Sequence, residues 1–514
     1  LAERTPYDEV PYASHAYAAT HPDRMAMMAR LFGLETPDIR TARVLEVGSA
    51  AGGNLIPLAM QFPDARFVGV DLSRVEIEEG QEHIRKLGLD NIELHAADIL
   101  QIGDRFGTFD YSICHGVYSW VPRPVQDEIL RLNRHQVVAN GASYVSYNCL
   151  PGWHMRGLVR EMMLFHASGF DKPTDKTAQA RALLDFLANA APDGEDPFSI
   201  LLRNEASFLG RMSDYYLFHE HLSADNHPLY LWQFLERADD AGLQFLGEAY
   251  LQTMMPDQFP PEVKKILDTI GGDIVRLEQY MDFIRNRMFR QTLLVRKEHE
   301  LERTIGWKQA FPFHFATAAV LPKDADLMGD AALEFSVEGQ TVVTANPVLK
   351  VAFAVLADAW PSTMPFDGIV EAVKARVGGS TESLQETLGG NLLRCVASSV
   401  VEAWTIPIEA APRREKPIVT PLVRFQVDNE LMRLTNLRHQ TADVSPLVRR
   451  AVSLLDGTRD RQGLIDGLVD EVFAGRLSAE KDGEAVTDRP VLVDAMEGVV
   501  DDILDTLYRQ SFLV

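Results

Sequence analysis

Three carboxylates around one glycine-rich turn carry most of the chemistry in this sequence. The run Val44-Leu-Glu-Val-Gly-Ser-Ala-Ala-Gly-Gly-Asn54 reads as a buried strand, a turn and the opening of a helix. Gly48, Ala50 and Gly52 form the turn, and such a turn lets backbone N–H groups approach a bound ligand. Glu46 stands two places before the first glycine, where its charge disfavours a pyrophosphate and suits a ligand with a positive end. Asp71, in Val68-Gly-Val-Asp-Leu-Ser73, ends a second strand-like run, where a carboxylate can accept both hydroxyls of a ribose. Asp98, in Ala96-Ala-Asp-Ile-Leu100, follows a third, at the position that would face an adenine amino group. Their order matches successive carboxyl ends of strands, where open α/β sheets bind ligands.

A nucleoside with a cationic end is S-adenosylmethionine (SAM), and methyl transfer is the chemistry it implies. The competing reading is a dinucleotide site, since Gly48-Ser-Ala-Ala-Gly-Gly53 can be fitted to GxGxxG with Asp71 at a suitable distance. A dinucleotide needs neither Glu46 nor Asp98. Methyl transfer from a sulfonium requires a nucleophile aligned at about 3 Å and the exclusion of water. Aromatic rings suit it, because they hold an ammonium or sulfonium without adding charge. His115, Tyr118 and Trp120 follow the fourth strand-like run, and Tyr147, Asn148, Trp153 and His154 follow the fifth. Both clusters are expected at the mouth of the cofactor pocket, with His115 and His154 as candidate general bases. Packing beneath neighbouring helices is the competing role for Tyr118 and Trp120, and a backbone hydrogen bond the competing role for either histidine. The segment Tyr7-Asp-Glu-Val-Pro-Tyr-Ala-Ser14 reads as a lid, which brings Tyr12 and Ser14 to the cofactor. No Cys or His spacing supports a metal site, and the pair His219/His221 stands isolated.

The elements that must position these residues alternate. Val44–Val47, Arg66–Val70, Ile92–His95, Phe109–Cys114 and Ala142–Tyr147 are strand-like, with helical patterns at Asn54–Gln61, Ser73–Leu87 and Pro124–Val138 between them. That alternation predicts a parallel sheet covered on both faces. A helical insertion follows over about residues 152–241, with helices at Met155–His166, Lys176–Ala190, Ser199–Asp214 and Tyr230–Ala241. Leu243–Leu246 and Arg290–Arg296, the latter after a helix at Gly272–Arg285, are expected to complete the sheet. Beyond residue 300 the chain repeats itself. Asn346-Pro-Val-Leu-Lys-Val-Ala-Phe-Ala-Val-Leu356 aligns with Ser445-Pro-Leu-Val-Arg-Arg-Ala-Val-Ser-Leu-Leu455, and Phe366-Asp-Gly-Ile-Val-Glu-Ala-Val373 with Ile465-Asp-Gly-Leu-Val-Asp-Glu-Val472, both at one offset. Two small, mainly helical modules of winged-helix type are predicted, joined near Arg413–Thr420.

A chain of 514 residues is too long for one core. Its net charge of −24 repels phosphate backbones, which argues against a nucleic-acid partner and favours a basic protein segment. Solubility alone is the other explanation of that charge. No apolar run is long enough to span a membrane, the first residues lack a signal-peptide pattern, and three scattered cysteines suit a reducing cytoplasm.

At this level the chain resembles class I SAM-dependent methyltransferases. More narrowly, it is similar to a bacterial group that carries a methyltransferase regulatory domain and includes the rickettsial outer-membrane-protein lysine methyltransferases. The markers are the Val44–Pro57 run, Ile113-Cys-His-Gly-Val-Tyr-Ser-Trp-Val-Pro122, Tyr144-Val-Ser-Tyr-Asn-Cys-Leu-Pro-Gly-Trp-His154, Tyr216-Leu-Phe-His-Glu220 and Arg287-Met-Phe-Arg-Gln-Thr-Leu-Leu294. The resemblance covers residues 5–300, with the paired C-terminal modules also similar. Ala50 is a departure, because the group usually has glycine there. The resemblance implies an α/β, Rossmann-like methyltransferase sheet over residues 1–300 with a helical insertion, then winged-helix-like modules at 301–413 and 414–514. It further implies methyl transfer to lysine side chains of a protein, with the C-terminal modules serving substrate docking or a homodimer contact. The expected cofactor set is Glu46, Gly48, Ser49, Ala50, Gly52, Asn54, Asp71, Leu72, Asp98, Ile99 and His115, with Tyr12 and Ser14 from the lid. The expected catalytic set is His115, Tyr118, Trp120, Trp153 and His154. A small metabolite or natural-product peptide as acceptor, and a SAM-binding regulator without turnover, are the alternatives.

Overall fold

The computed structural model describes residues 14–192, 196–322, 324–337, 339–481, 484–486 and 488–514. Its centre is a seven-stranded sheet of β1 (Arg43–Val47), β2 (Arg66–Asp71), β3 (Ile92–Ala96), β4 (Phe109–Cys114), β5 (Val137–Asn148), β6 (Leu243–Glu248) and β7 (Phe289–Arg296), in the order β3-β2-β1-β4-β5-β7-β6. β1 and β2 are covered on both faces and, Asp71 apart, buried beyond their first residue, which suits Val44, Leu45 and Val47 of β1 and Phe67, Val68 and Val70 of β2. The strand order reverses between β1 and β4, and the glycine turn leaves β1 at that switch point.

The predicted elements of the sheet are found, with one difference in direction. β7 runs antiparallel between β5 and β6. The chain leaves β6 at Glu248 and returns beside it at Thr292, so the last strand must run back the other way. β5 also starts earlier than expected, at Val137, because the helix Arg123–Gln136 stops there. Helices α1 (Pro22–Leu31), α2 (Leu55–Gln61), α3 (Arg74–Leu87) and α4 (Arg123–Gln136) cover the sheet. Ser73 caps α3 by accepting from the Glu76 N–H, and Gly88 closes it in left-handed backbone.

The insertion comprises α5 (Gly152–Ala167), α6 (Pro173–Ala190), α7 (Pro197–Leu209) and α8 (Asp214–His221), which bury Val159, Met163, Leu184, Leu202 and Leu217 among themselves. The helix predicted over Ser199–Asp214 starts at Pro197 and stops early, at Leu209, and Ser213 caps a separate helix from Asp214 by accepting from the Tyr216 N–H. α9 (Leu231–Asp240) packs on β6. Before β7 the chain forms α10 (Pro261–Ile270), which the sequence pattern missed, and α11 (Ile274–Arg285).

The repeat beyond residue 300 appears as one succession of elements used twice. A hairpin, β9 (Leu333–Val337) with β10 (Gln340–Thr344), follows the short strand β8 (His314–Ala316). It leads into α12 (Pro347–Ala359), then the two-residue strand β11 (Met364–Pro365), α13 (Phe366–Val377), α14 (Thr381–Ala397) and β12 (Glu402–Trp404). The second copy has α15 (Pro421–Asp428), the hairpin β13 (Arg433–Thr435) with β14 (Thr441–Asp443), α16 (Pro446–Leu454), α17 (Arg461–Phe473) and α18 (Arg489–Arg509). Asn346 and Ser445 cap corresponding helices, each followed by proline at the first turn. The first copy shares one continuous core with the sheet, whereas the second has a core of its own around Val423, Ile465 and Leu468. No helix among the described residues is long and apolar enough to cross a membrane.

Candidate active site

A cavity of about 700 Å³ opens at the carboxyl ends of β1 to β5, roofed by the insertion. Its floor is the glycine turn. The Gly48 and Ser49 N–H groups donate to Val70 O at 2.8 and 3.3 Å, which folds the turn against β2. Asp71 fixes it further: one carboxylate oxygen accepts from the Ala50 N–H at 2.9 Å and the other from the Ser73 N–H at 2.8 Å. Gly48 and Gly52 sit at φ +77° and +75°, and Ala50 between them at +46°. A Cβ on Gly48 would stand 2.2 Å from Val117 Cγ2, so glycine is required there on two counts. Gly53 is packed just as closely, against the backbone of Ser14 and His15, and its N–H donates to Ser14 Oγ at 2.8 Å.

Glu46 is buried in the cavity wall. Its Oε1 accepts from Asn54 Nδ2 at 2.7 Å, while Oε2 has no hydrogen-bond partner. Burial, reinforced by the nearby Asp71 charge, pushes its pKa up to about 8. A buried carboxyl with one unsatisfied oxygen facing a cavity is a receptor for a cation. Asp71, Leu72, Asp98, Ile99 and Leu100 also line the cavity, with Leu72 and Leu100 exposed. Asp98 also caps the one-turn helix Ile99–Ile102, accepting from the Leu100 N–H at 2.9 Å. Carboxyls with a flanking apolar strip fit a nucleoside that carries an ammonium at its far end.

The other half of the cavity is aromatic. Trp120 and Trp153 meet edge to face with ring centres 5.9 Å apart. Beside them stand Arg156, Tyr216, His219 and Glu220 from the insertion, and Met288 and Phe289 from the start of β7. Arg156 lies over the Trp153 and Phe208 rings and 3.6 Å from Glu205. Burial pushes the Glu220 pKa up to about 7. His115 lines the boundary between the halves, its ring 4.0 Å from that of Tyr17, with Nδ1 at 2.8 Å from Tyr144 Oη. Burial lowers its pKa to about 3, so it stays neutral and is a poor proton acceptor.

Three family models match parts of the chain: "Methyltransferase domain" over residues 40–163, "Predicted methyltransferase regulatory domain" over 213–296, and "PKMT, C-terminal winged helix domain" over 415–512. An uncharacterised protein of Rickettsia prowazekii is 34% identical over 524 residues, covering 100% of this chain and 94% of the relative. The structure of PKMT2 from Rickettsia typhi in complex with AdoHcy superposes with a TM-score of 0.88 at 30% identity, covering 98% of this chain and 100% of that one. The chain belongs to the rickettsial PKMT family of SAM-dependent methyltransferases. Its cofactor is S-adenosylmethionine, and the unsatisfied Glu46 oxygen with the Asp71 and Asp98 carboxyls fits that molecule.

Within this PKMT-family chain, the cavity brings together Ser14, Glu46, Gly48, Ser49, Ala50, Asn54, Asp71, Leu72, Asp98, Ile99, His115, Trp120 and Trp153. Gly52 shapes the turn from behind, where a Cβ would meet Leu94. Tyr12 lies outside the described residues. Two expected catalytic residues point elsewhere. Tyr118 is fully buried against Phe234, its ring 5.3 Å away, because the 3-10 turn Tyr118–Trp120 points successive side chains about 120° apart. His154 is exposed next to Tyr230, with Nε2 at 3.2 Å from its hydroxyl. One residue of helix rotation separates it from Trp153, which faces the cavity. Tyr147 is also turned away, stacked on Phe234 at 4.2 Å. Sequence reasoning missed Arg156 and Glu220. The available signal was the i, i+4 spacing of Tyr216 and Glu220, which puts both on one face of α8.

Proposed function

We propose that this methyltransferase acts on lysine side chains of a protein. The observation that carries the reading is the pairing, at the acceptor end of the cavity, of indole and phenol rings with a half-buried carboxyl group of raised pKa, Glu220. That combination recognises a primary ammonium: the rings attract it through their faces, and the carboxylate takes the proton that it must lose. Glu46 would hold the ammonium end of the donor, Asp71 the ribose hydroxyls and Asp98 the adenine amino group.

When bound, the donor supplies an electrophilic methyl carbon on a sulfonium. Trp120, Trp153 and Tyr216 orient the lysine, and the roof formed by the insertion excludes water. Ionised Glu220 accepts one proton from the lysine ammonium, which frees the nitrogen lone pair. A C–N bond then forms as the C–S bond breaks, and the electron pair of that bond stays on sulfur as a neutral thioether. The rim favours a polypeptide over a metabolite. Met288 and Phe289 at the cavity are exposed, as are Met155, Phe283 and Tyr280, apolar side chains for which a small acceptor has no use. The net charge of −24 suits a lysine-bearing partner. On this reading the chain divides near residues 300 and 413 into a catalytic part and two modules.

Incubation with methyl-labelled SAM and a proteome extract tests the reading. Label recovered as methyl-lysine after acid hydrolysis of protein is the expected result. Label in small molecules alone, or no transfer at all, overturns it.

A further inference from the structure

The second C-terminal module reaches back to the glycine turn. Its β13–β14 hairpin, the wing, carries His439 at the tip in left-handed backbone, φ +60°, and only 1% exposed. His439 Nε2 lies 2.8 Å from Asn54 Oδ1, across a sequence separation of 385 residues. An amide oxygen only accepts, so Nε2 carries the hydrogen and donates. The same Oδ1 accepts from the Tyr17 N–H at 3.0 Å and has the Thr20 hydroxyl at 3.1 Å. With donors from the wing and from the Tyr17–Thr20 segment on its oxygen, the Asn54 amide is held in one orientation. Its NH2 is left to donate to Glu46 Oε1 at 2.7 Å, and the other Glu46 oxygen stays unpaired and in place.

The wing is anchored on both sides of this contact. Arg438 is buried, paired with Glu402 at 2.8 Å and lying 4.2 Å over the Trp360 ring. Gln61, at the end of α2, donates to Leu437 O at 3.0 Å. Arg433 reaches His15 at 3.1 Å, next to the serine that accepts from Gly53.

We propose that His439 is a positioning residue for the methyl donor: the wing fixes Asn54, and Asn54 fixes Glu46 in the geometry that receives the donor's ammonium. The proposal rests on the assignment of Glu46 to that ammonium and is independent of the lysine acceptor. The second module is then a structural part of the cofactor site, and anything that lifts the wing weakens cofactor binding.

A calorimetric double-mutant cycle with SAM on the full chain tests it. His439→Leu should weaken binding about tenfold, and His439→Gln, whose amide reaches a similar point, should recover most of the loss. Glu46→Gln should weaken binding more, and the double variant no further than Glu46→Gln alone. Additive losses, or undiminished affinity in a folded His439→Leu, overturn the proposal. Full affinity in Glu46→Gln overturns the ammonium assignment instead. If His439→Leu fails to fold, hydrogen exchange on the wild-type chain decides. By linkage the cofactor must tighten what positions its site, so S-adenosylhomocysteine or SAM should slow exchange of the amides at 433–443. Unchanged exchange there rejects the wing's role.

Discussion

At the scale of single residues, Ala50 is where this chain departs from its own turn. An L-residue at φ +46° carries a cost of about 1–2 kcal/mol that glycine does not, partly offset by glycine's greater freedom when unfolded. Ala50→Gly should therefore raise the unfolding free energy by up to about 1 kcal/mol in urea titration, while Asp71 keeps its bond to the amide at 50. Gly48→Ala should do the reverse, since its Cβ would collide with Val117, with a loss of about 2–3 kcal/mol. Glu46 makes a different prediction. With its pKa pushed up to about 8, the carboxyl is mostly protonated at pH 7, and a bound ammonium favours the ionised form. Cofactor binding at pH 7 should release nearly one proton, measured by calorimetry in buffers of different ionisation enthalpy, and Glu46→Gln should abolish that release. These residues were legible in the sequence because their relations are local. Glycines at φ > 0 and acids at strand ends are set by neighbours a few positions away, and three such ends occur in order.

At the scale of elements, the acceptor side depends on which way a turn or helix faces. Trp120 and Trp153 reach the cavity while Tyr118 and His154, two and one positions away, do not. The sequence places all four near the ends of β4 and β5, but side-chain direction depends on a tight turn and on the rotation of α5. The placement of Glu220 beside Trp120 was hidden for another reason. Glu220 lies on α8, about a hundred residues after Trp120, and only the folding of the insertion over the sheet joins them. Its raised pKa gives the sign of the pH dependence. A base must be ionised to accept a proton, so turnover should rise with pH through about 7, where Glu220 loses its own proton. Glu220→Gln should lower kcat by about 10²–10³-fold and remove that limb, with a smaller change in cofactor affinity. A profile that keeps its rise near pH 7 in this variant would assign the proton transfer to another group.

At the scale of the whole molecule, the repeat at residues 346–373 and 445–472 was legible because it is a pattern within the chain, whereas the docking of the second copy was not. Nothing in the sequence links residue 439 to residue 54; the link is made by packing of α15 on α3, where His83 meets Phe425, and by the buried Arg438. The same assembly buries titratable groups of both kinds, which gives the free protein a distinctive dependence on pH. Burial pushes Asp23 up to about 6, Glu220 to about 7 and Glu46 to about 8, above their unfolded values near 4. Each therefore stabilises the fold fully below pH 4 and loses that contribution as pH rises through its folded pKa. Burial lowers His115, His221 and His439 to about 3, so each costs stability as pH falls below its unfolded value near 6.5. Between pH 4 and 6.5 the two sets oppose one another. The histidines of the unfolded chain are half protonated at pH 6.5 and are neutral in both states only from about pH 7.5, above which Glu46 is left unopposed. The Tm of the cofactor-free protein should accordingly fall from pH 7.5 to 8.5. Bound SAM keeps Glu46 ionised and removes its share of that loss, so the thermal shift produced by saturating SAM should grow across the same window. A shift that is constant from pH 7.5 to 8.5, or one that grows equally in Glu46→Gln, would place the titrating group outside the cofactor site.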